Sequence, residues 1–245
     1  MLDISAELKA LRRALMARAD PNYQVGSTMV TKTNLTVIGV RAPDLRQIVK
    51  AWLEEHPEAS WEEKLALIEA LWAASSLEER ALALLFLEAH RRRIPELDWD
   101  HFDRWRRGLD SWGTADGLAC IVYGPWLAAD FKRREKTLRR LIADKDVWSR
   151  RLALVGTVPL NRNPATAVPD LTFELIDRVK DERDPMITKA VSWALRALIK
   201  THKPEVAAYV DANQGQLAPL AAREVRNKLR TGLKSGKVKR GARGA

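Results

Sequence analysis

Apolar positions recur at helical spacing along almost the whole chain. Ile4, Leu8, Leu11 and Leu15 step by three and four, the pattern of an amphipathic helix. Residues 20–40 break that pattern with Asp20-Pro21-Asn22, Gly26-Ser27 and a Thr/Val-rich run, and read as a long loop with room for an extended piece. The β-branched run Leu35 to Val40 is too short and isolated to make a convincing strand. Ala42-Pro43-Asp44 opens the next helix, with Pro43 suited to a first turn. Ser60-Trp61-Glu62-Glu63 and Ser76-Leu77-Glu78-Glu79 both fit a capping box and start two helices joined by a short turn. Further helix starts are predicted near Pro95, Asp98, Ser111, Pro125, Asp146, Asp170, Asp184, Pro204 and Pro219.

The second half repeats itself weakly. Asp146 to Ala153, Asp184 to Val191 and Leu217 to Val225 each place an acidic or proline start before a helix with a basic residue in its first turns. The spacing, roughly 35–40 residues, is near the length of a two-helix repeat. Stacked pairs of this kind form an α-solenoid with a concave surface, and shared basic positions would make that surface cationic. The fold class expected is therefore all-α.

Composition narrows the partners. The chain has 245 residues, 46% of them hydrophobic, enough for a sizeable core. The net charge of +10 points to an acidic partner. Eight basic residues and no acidic ones lie from Arg226 to the end, leaving +2 for residues 1–225. The tail either solubilises the protein or acts as a nonspecific phosphate-binding arm. Cys120 is the single cysteine, so no internal disulfide forms, which is compatible with a cytoplasmic location. No signal peptide is visible, and the apolar stretch Leu118 to Ala129 is too short for a membrane span. The four histidines are scattered, and none pairs with another or with Cys120 at a metal-ligand spacing, so no metal site is expected.

Three segments set an indole beside a charge. Trp112 and Asp116 lie four apart and would share one helix face, if Asp110 or Ser111 caps that helix. An aromatic face and a carboxylate both favour a developing positive charge. A buried Trp with a solvated Asp is the commoner outcome for such a pair. Trp148 precedes Arg150 and Arg151, residues suited to phosphate, although a solvated helix face would look the same. Lys189, Trp193 and Arg196 form the third group, with core packing of Trp193 as the bland alternative.

In these residues the chain resembles the AlkD-type DNA alkylation-repair family. The matching motifs are Ser111-Trp112-Gly113-Thr114-Ala115-Asp116, Trp148 to Ala153 and Lys189 to Arg196. Weaker matches run from Ile38 to Arg46 and from Leu217 to Leu220. The resemblance implies a superhelix of HEAT-like antiparallel helix pairs with a concave basic groove. The expected organisation is one such domain over 1–231, followed by a basic, flexible tail over 232–245. The resemblance also implies excision of cationic N3- and N7-alkylated purines from double-stranded DNA without metal or cofactor, and a groove that clamps DNA works as a monomer. Catalytic roles carry over to Asp116, Trp112, Trp193 and Arg151. Arg151, Lys189, Arg150 and Trp148 are the expected DNA-binding residues. Ser111 stands where some members have a second Trp, and Met29 to Leu35 replace the family's Tyr-Met-Lys-Asn-like run before the Gly-Ile element. Two other readings stay open: a catalytically silent DNA-binding protein on the same fold, and a protein-binding solenoid.

Overall fold

A computed structural model describes residues 2–237 of the chain. Its helices group into two compact units, Met1–Trp126 and Leu127–Ala245. The first unit contains α1 (Ile4–Met16), α2 (Pro21–Thr31), α3 (Ala42–Glu55), α4 (Trp61–Ala73), α5 (Leu77–Ala89), α6 (Trp99–Arg106) and α7 (Trp112–Gly117). A π-helical segment, Leu118–Tyr123, continues α7 without a break into α8 (Gly124–Ala129). The second unit contains α9 (Phe131–Arg134), α10 (Lys136–Ile142), α11 (Val147–Asn161), α12 (Pro169–Asp177), α13 (Pro185–Leu198), α14 (Lys203–Ala212) and α15 (Pro219–Thr231). Among the described residues there is no strand, only an isolated bridge between Thr36 and Ser76.

Within each unit the helices pack in rows. In the first, α5 lies between α3 and α7, and α4 packs on both α1 and α5. In the second, α13 lies between α11 and α15, while α10, α12 and α14 each pack beside that row. This is the helical-repeat plan that the spacing of Asp146, Asp184 and Leu217 predicts. The row helices are the most buried. Leu152, Leu154, Val155, Val158, Ala190, Ala194, Leu195 and Leu198 carry the core of the second unit. An aromatic cluster does so at the end of the first, where Phe102, Trp105, Tyr123 and Trp126 are buried together.

Local chemistry explains most boundaries. Ser60 and Ser76 form full capping boxes with Glu63 and Glu79. Asp98, Asp146 and Asp184 cap α6, α11 and α13 through backbone amides. Two expected starts fall differently. Pro95 sits inside a 3-10 run, Arg91–Glu96, and Pro125 lies within the continuing helix, where the preceding π turn absorbs it.

The larger departure is residues 20–40. They contain α2, not only a loop. Asp20 accepts from the amides of Asn22 and Tyr23, Pro21 occupies the first turn, and Lys32 ends the helix in a left-handed conformation. Residues that read as chain breakers are a cap and an N1 proline. The extended stretch that follows is pinned by one carboxylate. Glu78, 3% exposed, accepts from the amides of Ile38 (2.9 Å), Gly39 (2.7 Å) and Val40 (3.3 Å). Gly39 adopts φ +94°, and a Cβ there would lie 2.7 Å from both the Asp20 carbonyl oxygen and Gln24 Cβ. The chain thus needs glycine where α2 meets this stretch.

Of the expected basic tail, residues 232–237 are described. Gly232 caps α15 with positive φ, and the Asn227 side chain donates to the Lys234 carbonyl. Lys239, Arg240 and Arg243 lie outside the described residues.

Candidate functional site

The first unit places Trp112 and Asp116 on the short helix α7. Ser111 is the N-cap residue but caps with no side-chain hydrogen bond; its hydroxyl lies 3.2 Å from that of Thr114. Asp110 does not cap either. Its carboxylate accepts from the Thr33 hydroxyl (2.7 and 2.8 Å) and the Asn34 amide (2.6 Å), tying the chain after α2 to the start of α7. Gly117 lets α7 approach α5, since a Cβ there would stand 2.5 Å from Leu84 Cδ1.

Trp112 is 38% exposed, a large value for an indole. Its N–H donates to the Val30 carbonyl of α2 at 3.2 Å, so the ring is held while one surface faces solvent. The commoner outcome, burial of this Trp in the core, is not what the structure shows. Asp116 follows one turn later and is half-buried. Beside Trp112 opens a cavity of 530 Å³ lined by Tyr23, Gly26, Val30, Thr31 and Arg41. The Arg41 guanidinium lies 4.6 Å from the Tyr23 ring centroid and pairs with Asp20 at 2.9 Å. Helix α2 is thus a wall of this site, and sequence reasoning missed it. The one available signal was the Asp20-Pro21 start. Val25, Met29 and Val30 are exposed on the same helix.

In the second unit the remaining residues occupy the row helices α11 and α13. Trp148 is half-buried at the start of α11. Arg150 donates to the carbonyls of Asp144 (2.9 Å) and Lys145 (2.7 Å) and pairs with Glu182 at 3.0 Å, so its guanidinium staples the turn before α11. Arg151 is 4% exposed and donates to the Met186 carbonyl at 2.5 Å, linking α11 to the first turn of α13. Neither arginine lies on a merely solvated face. Lys189 is exposed, and Trp193, one turn further on, is half-buried. The Arg162 guanidinium lies 5.8 Å from the Trp193 ring centroid. Trp193, Arg196, Lys200 and two residues of neighbouring segments, Arg162 and Lys228, line a small cavity of 200 Å³.

The row helices with their indole, carboxylate and guanidinium side chains define an all-helical repeat protein. The sequence profile of the family described as DNA alkylation repair enzyme matches residues 11–229, and the chain belongs to that family. The family places this protein in DNA alkylation repair and implies DNA binding and enzyme activity. A solved structure described as a predicted DNA alkylation repair enzyme from Enterococcus faecalis is similar in fold. It has a TM-score of 0.73 and 20% identity, covering 93% of this chain and 98% of that one. No curated protein matches the chain. Among the described residues, no helix is long and apolar enough to cross a membrane.

Proposed function

We propose that this protein is a DNA glycosylase that hydrolyses the N-glycosidic bond of cationic N3- and N7-alkylated purines in duplex DNA. The observation that supports this best is the pair on α7. A surface indole, fixed through its N–H, stands one helical turn from a half-buried carboxylate. No part of the core requires Trp112 at the surface, whereas a sugar acquiring positive charge does favour an aromatic face beside an anion.

The chemistry asks little more of the protein. An alkylated purine of this class already carries a positive charge. When the bond from C1′ to the purine nitrogen breaks, its electron pair neutralises the base, which leaves without a general acid. Positive charge passes to the sugar as an oxocarbenium-like species. Water attacks C1′, and its proton passes to the Asp116 carboxylate or to solvent. In this reading Asp116 stabilises the sugar cation and orients the water, and Trp112 and Trp193 serve the deoxyribose. Arg151, Arg150, Lys189 and Trp148 serve the DNA backbone, with exposed Lys189 the most available of them. The proposal includes action as a monomer in the cytoplasm.

The deciding measurement is base release from duplexes carrying 7-methylguanine or 3-methyladenine. Asp116→Asn keeps the shape and removes the charge. Its release rate should fall by at least about 100-fold, the usual order for losing a transition-state electrostatic contact. Its affinity for undamaged duplex should stay close to that of the wild type. Release by the variant at the wild-type rate would remove Asp116 from the mechanism. No release by the wild-type protein on either lesion, with DNA binding intact, would leave a DNA-binding protein without this chemistry.

A further inference from the structure

The cavity beside Trp193 concentrates like charge in a way that the fold alone does not explain. Four cations line it: Arg162 at the end of α11, Arg196 in α13, Lys200 just after α13 and Lys228 in α15. Of these four, only Arg196 is ion-paired with an acid among the described residues, and that acid, Glu224, also lies one turn before Lys228 on α15. The Arg196 guanidinium lies 3.8 Å from Glu224, and its Nε donates to the Ser192 hydroxyl, which in turn donates to Glu224. Among the described residues, no carboxylate forms an ion pair with Arg162, Lys200 or Lys228. Burial and then the charges of Arg196 and Arg162 hold the Lys228 ammonium below its ordinary pKa. Burial does the same to Arg196, offset in part by Glu224. Such convergence is unfavourable in the free protein and becomes favourable when an anion enters.

We infer that this cavity is a seat for a single backbone phosphate of DNA, with the adjoining deoxyribose lying against the Trp193 indole. The volume of 200 Å³ is ample for one phosphodiester, and the cationic lining favours the phosphate. Guanidinium groups bind phosphate oxygens in pairs, and lysines add point charge. The indole offers a flat apolar surface where the chain of the ligand changes from phosphate to sugar. This assignment rests on the glycosylase reading only for the sugar's identity as the lesion's; the phosphate seat itself requires DNA binding alone. The seat also bears on the chemistry. Three cations without an acid partner near Trp193 would oppose positive charge on a sugar packed there. A phosphate in the seat cancels part of that field, so the same contact that holds the DNA removes an electrostatic obstacle to bond breaking.

The test uses the full-length protein and undamaged duplex, so it stands whether or not any lesion is excised. Affinity is measured against salt concentration for the wild type, Arg162→Met, Lys228→Met and the double variant. One phosphate contributes a slope of about 0.9 in log K against log salt. Each single variant should therefore bind more weakly than the wild type and the double variant more weakly still, while the slope of the double variant falls by no more than about 0.9 in total, because both residues serve the same phosphate. Singles indistinguishable from wild type would overturn the seat. A double loss near twice that value would overturn it as well, by showing two separate phosphates. Thermal melting checks folding, and methionine fills the space of either side chain. Should the double variant fail to fold, neutralising one phosphate at a time in the duplex with methylphosphonate answers the question. The wild type should be sensitive at one linkage to which Lys228→Met is less sensitive, and equal sensitivity of both proteins at every linkage would refute the proposal. If the seat holds and no base is released, the phosphate assignment stands and the glycosylase reading falls.

Discussion

Single residues in this protein divide between those that hold the candidate site and those proposed to act in it. Gly39 belongs to the first kind. Its φ of +94°, and the 2.7 Å that would separate a Cβ from the Asp20 carbonyl oxygen, leave no room for a side chain. Gly39→Ala should lower the unfolding free energy by about 2 kcal/mol or more, from backbone strain and overpacking together. Denaturant titration reads this directly, and an unchanged midpoint would show that the junction of α2 yields easily. Arg151 is of a type suited to phosphate, yet it too holds the fold. It is 4% exposed, and its bond to Met186 ties α11 to α13. Any loss of activity on mutating Arg151 must therefore be read beside its melting temperature. The Asp116→Asn variant is easier to interpret, since the carboxamide preserves size and can still take part in hydrogen bonds.

At the scale of elements, the carboxylate of Glu78 decides how α2 is presented. Three amides, those of Ile38, Gly39 and Val40, converge on it in a buried setting. Removing it leaves donors without a partner, at about 1–3 kcal/mol for each group that finds no water. Glu78→Ala should destabilise the protein by about 3 kcal/mol and raise amide exchange at Ile38 and Val40 before the rest of the first unit opens. Exchange that rises equally across α3 and α4 would contradict a local clamp. Much of the helical plan was legible in the sequence. The capping boxes at Ser60 and Ser76, the aspartate caps of α6, α11 and α13, and the repeat of the row helices all follow from side chains that act on their own backbone. Helix α2 was not legible, because its apolar residues Val25, Met29 and Val30 face outward and mark no core stripe. Glu78 was equally hidden: within the motif it looks like an ordinary first-turn acid, and its partners lie 38 to 40 residues away. Of the site, the residue types on α7 and α13 were readable from their spacing. That Trp112 is a surface group backed by α2, and that Arg150 and Arg151 are engaged inside the fold, depended on tertiary neighbours.

For the whole molecule, charge is distributed so that most of the chain is nearly neutral and its end is not. Residues 1–225 carry +2, whereas the stretch from Arg226 onward carries eight cations. A body of this kind binds DNA through particular sites, while the terminal charges add a diffuse attraction. Deleting residues 238–245 removes three cations, Lys239, Arg240 and Arg243, and leaves the Gly232 cap of α15 in place. Affinity for undamaged duplex at low salt should fall, and the salt slope should drop by up to about 0.9 for each removed cation that sits on a phosphate. Base release at saturating DNA should not change. Equal affinity of the truncated and full-length proteins at low salt would show that these residues do not touch DNA.

The π turn at Leu118–Tyr123 has a consequence for how the chain tolerates change in length. A π turn holds one residue more than the α geometry around it, and successive helical residues differ by about 100° in direction. Trp112 and Asp116 stand just before that turn, and the buried ring of Trp126 stands just after it. The extra residue therefore sets the phase between an aromatic anchor in the core and an aromatic at the surface. Losing one residue there would keep the helix continuous and every other side chain chemically intact, yet it would swing the indole and the carboxylate away from α2. Helix length, usually the most forgiving property of such a protein, is at this place an angular coordinate of the site.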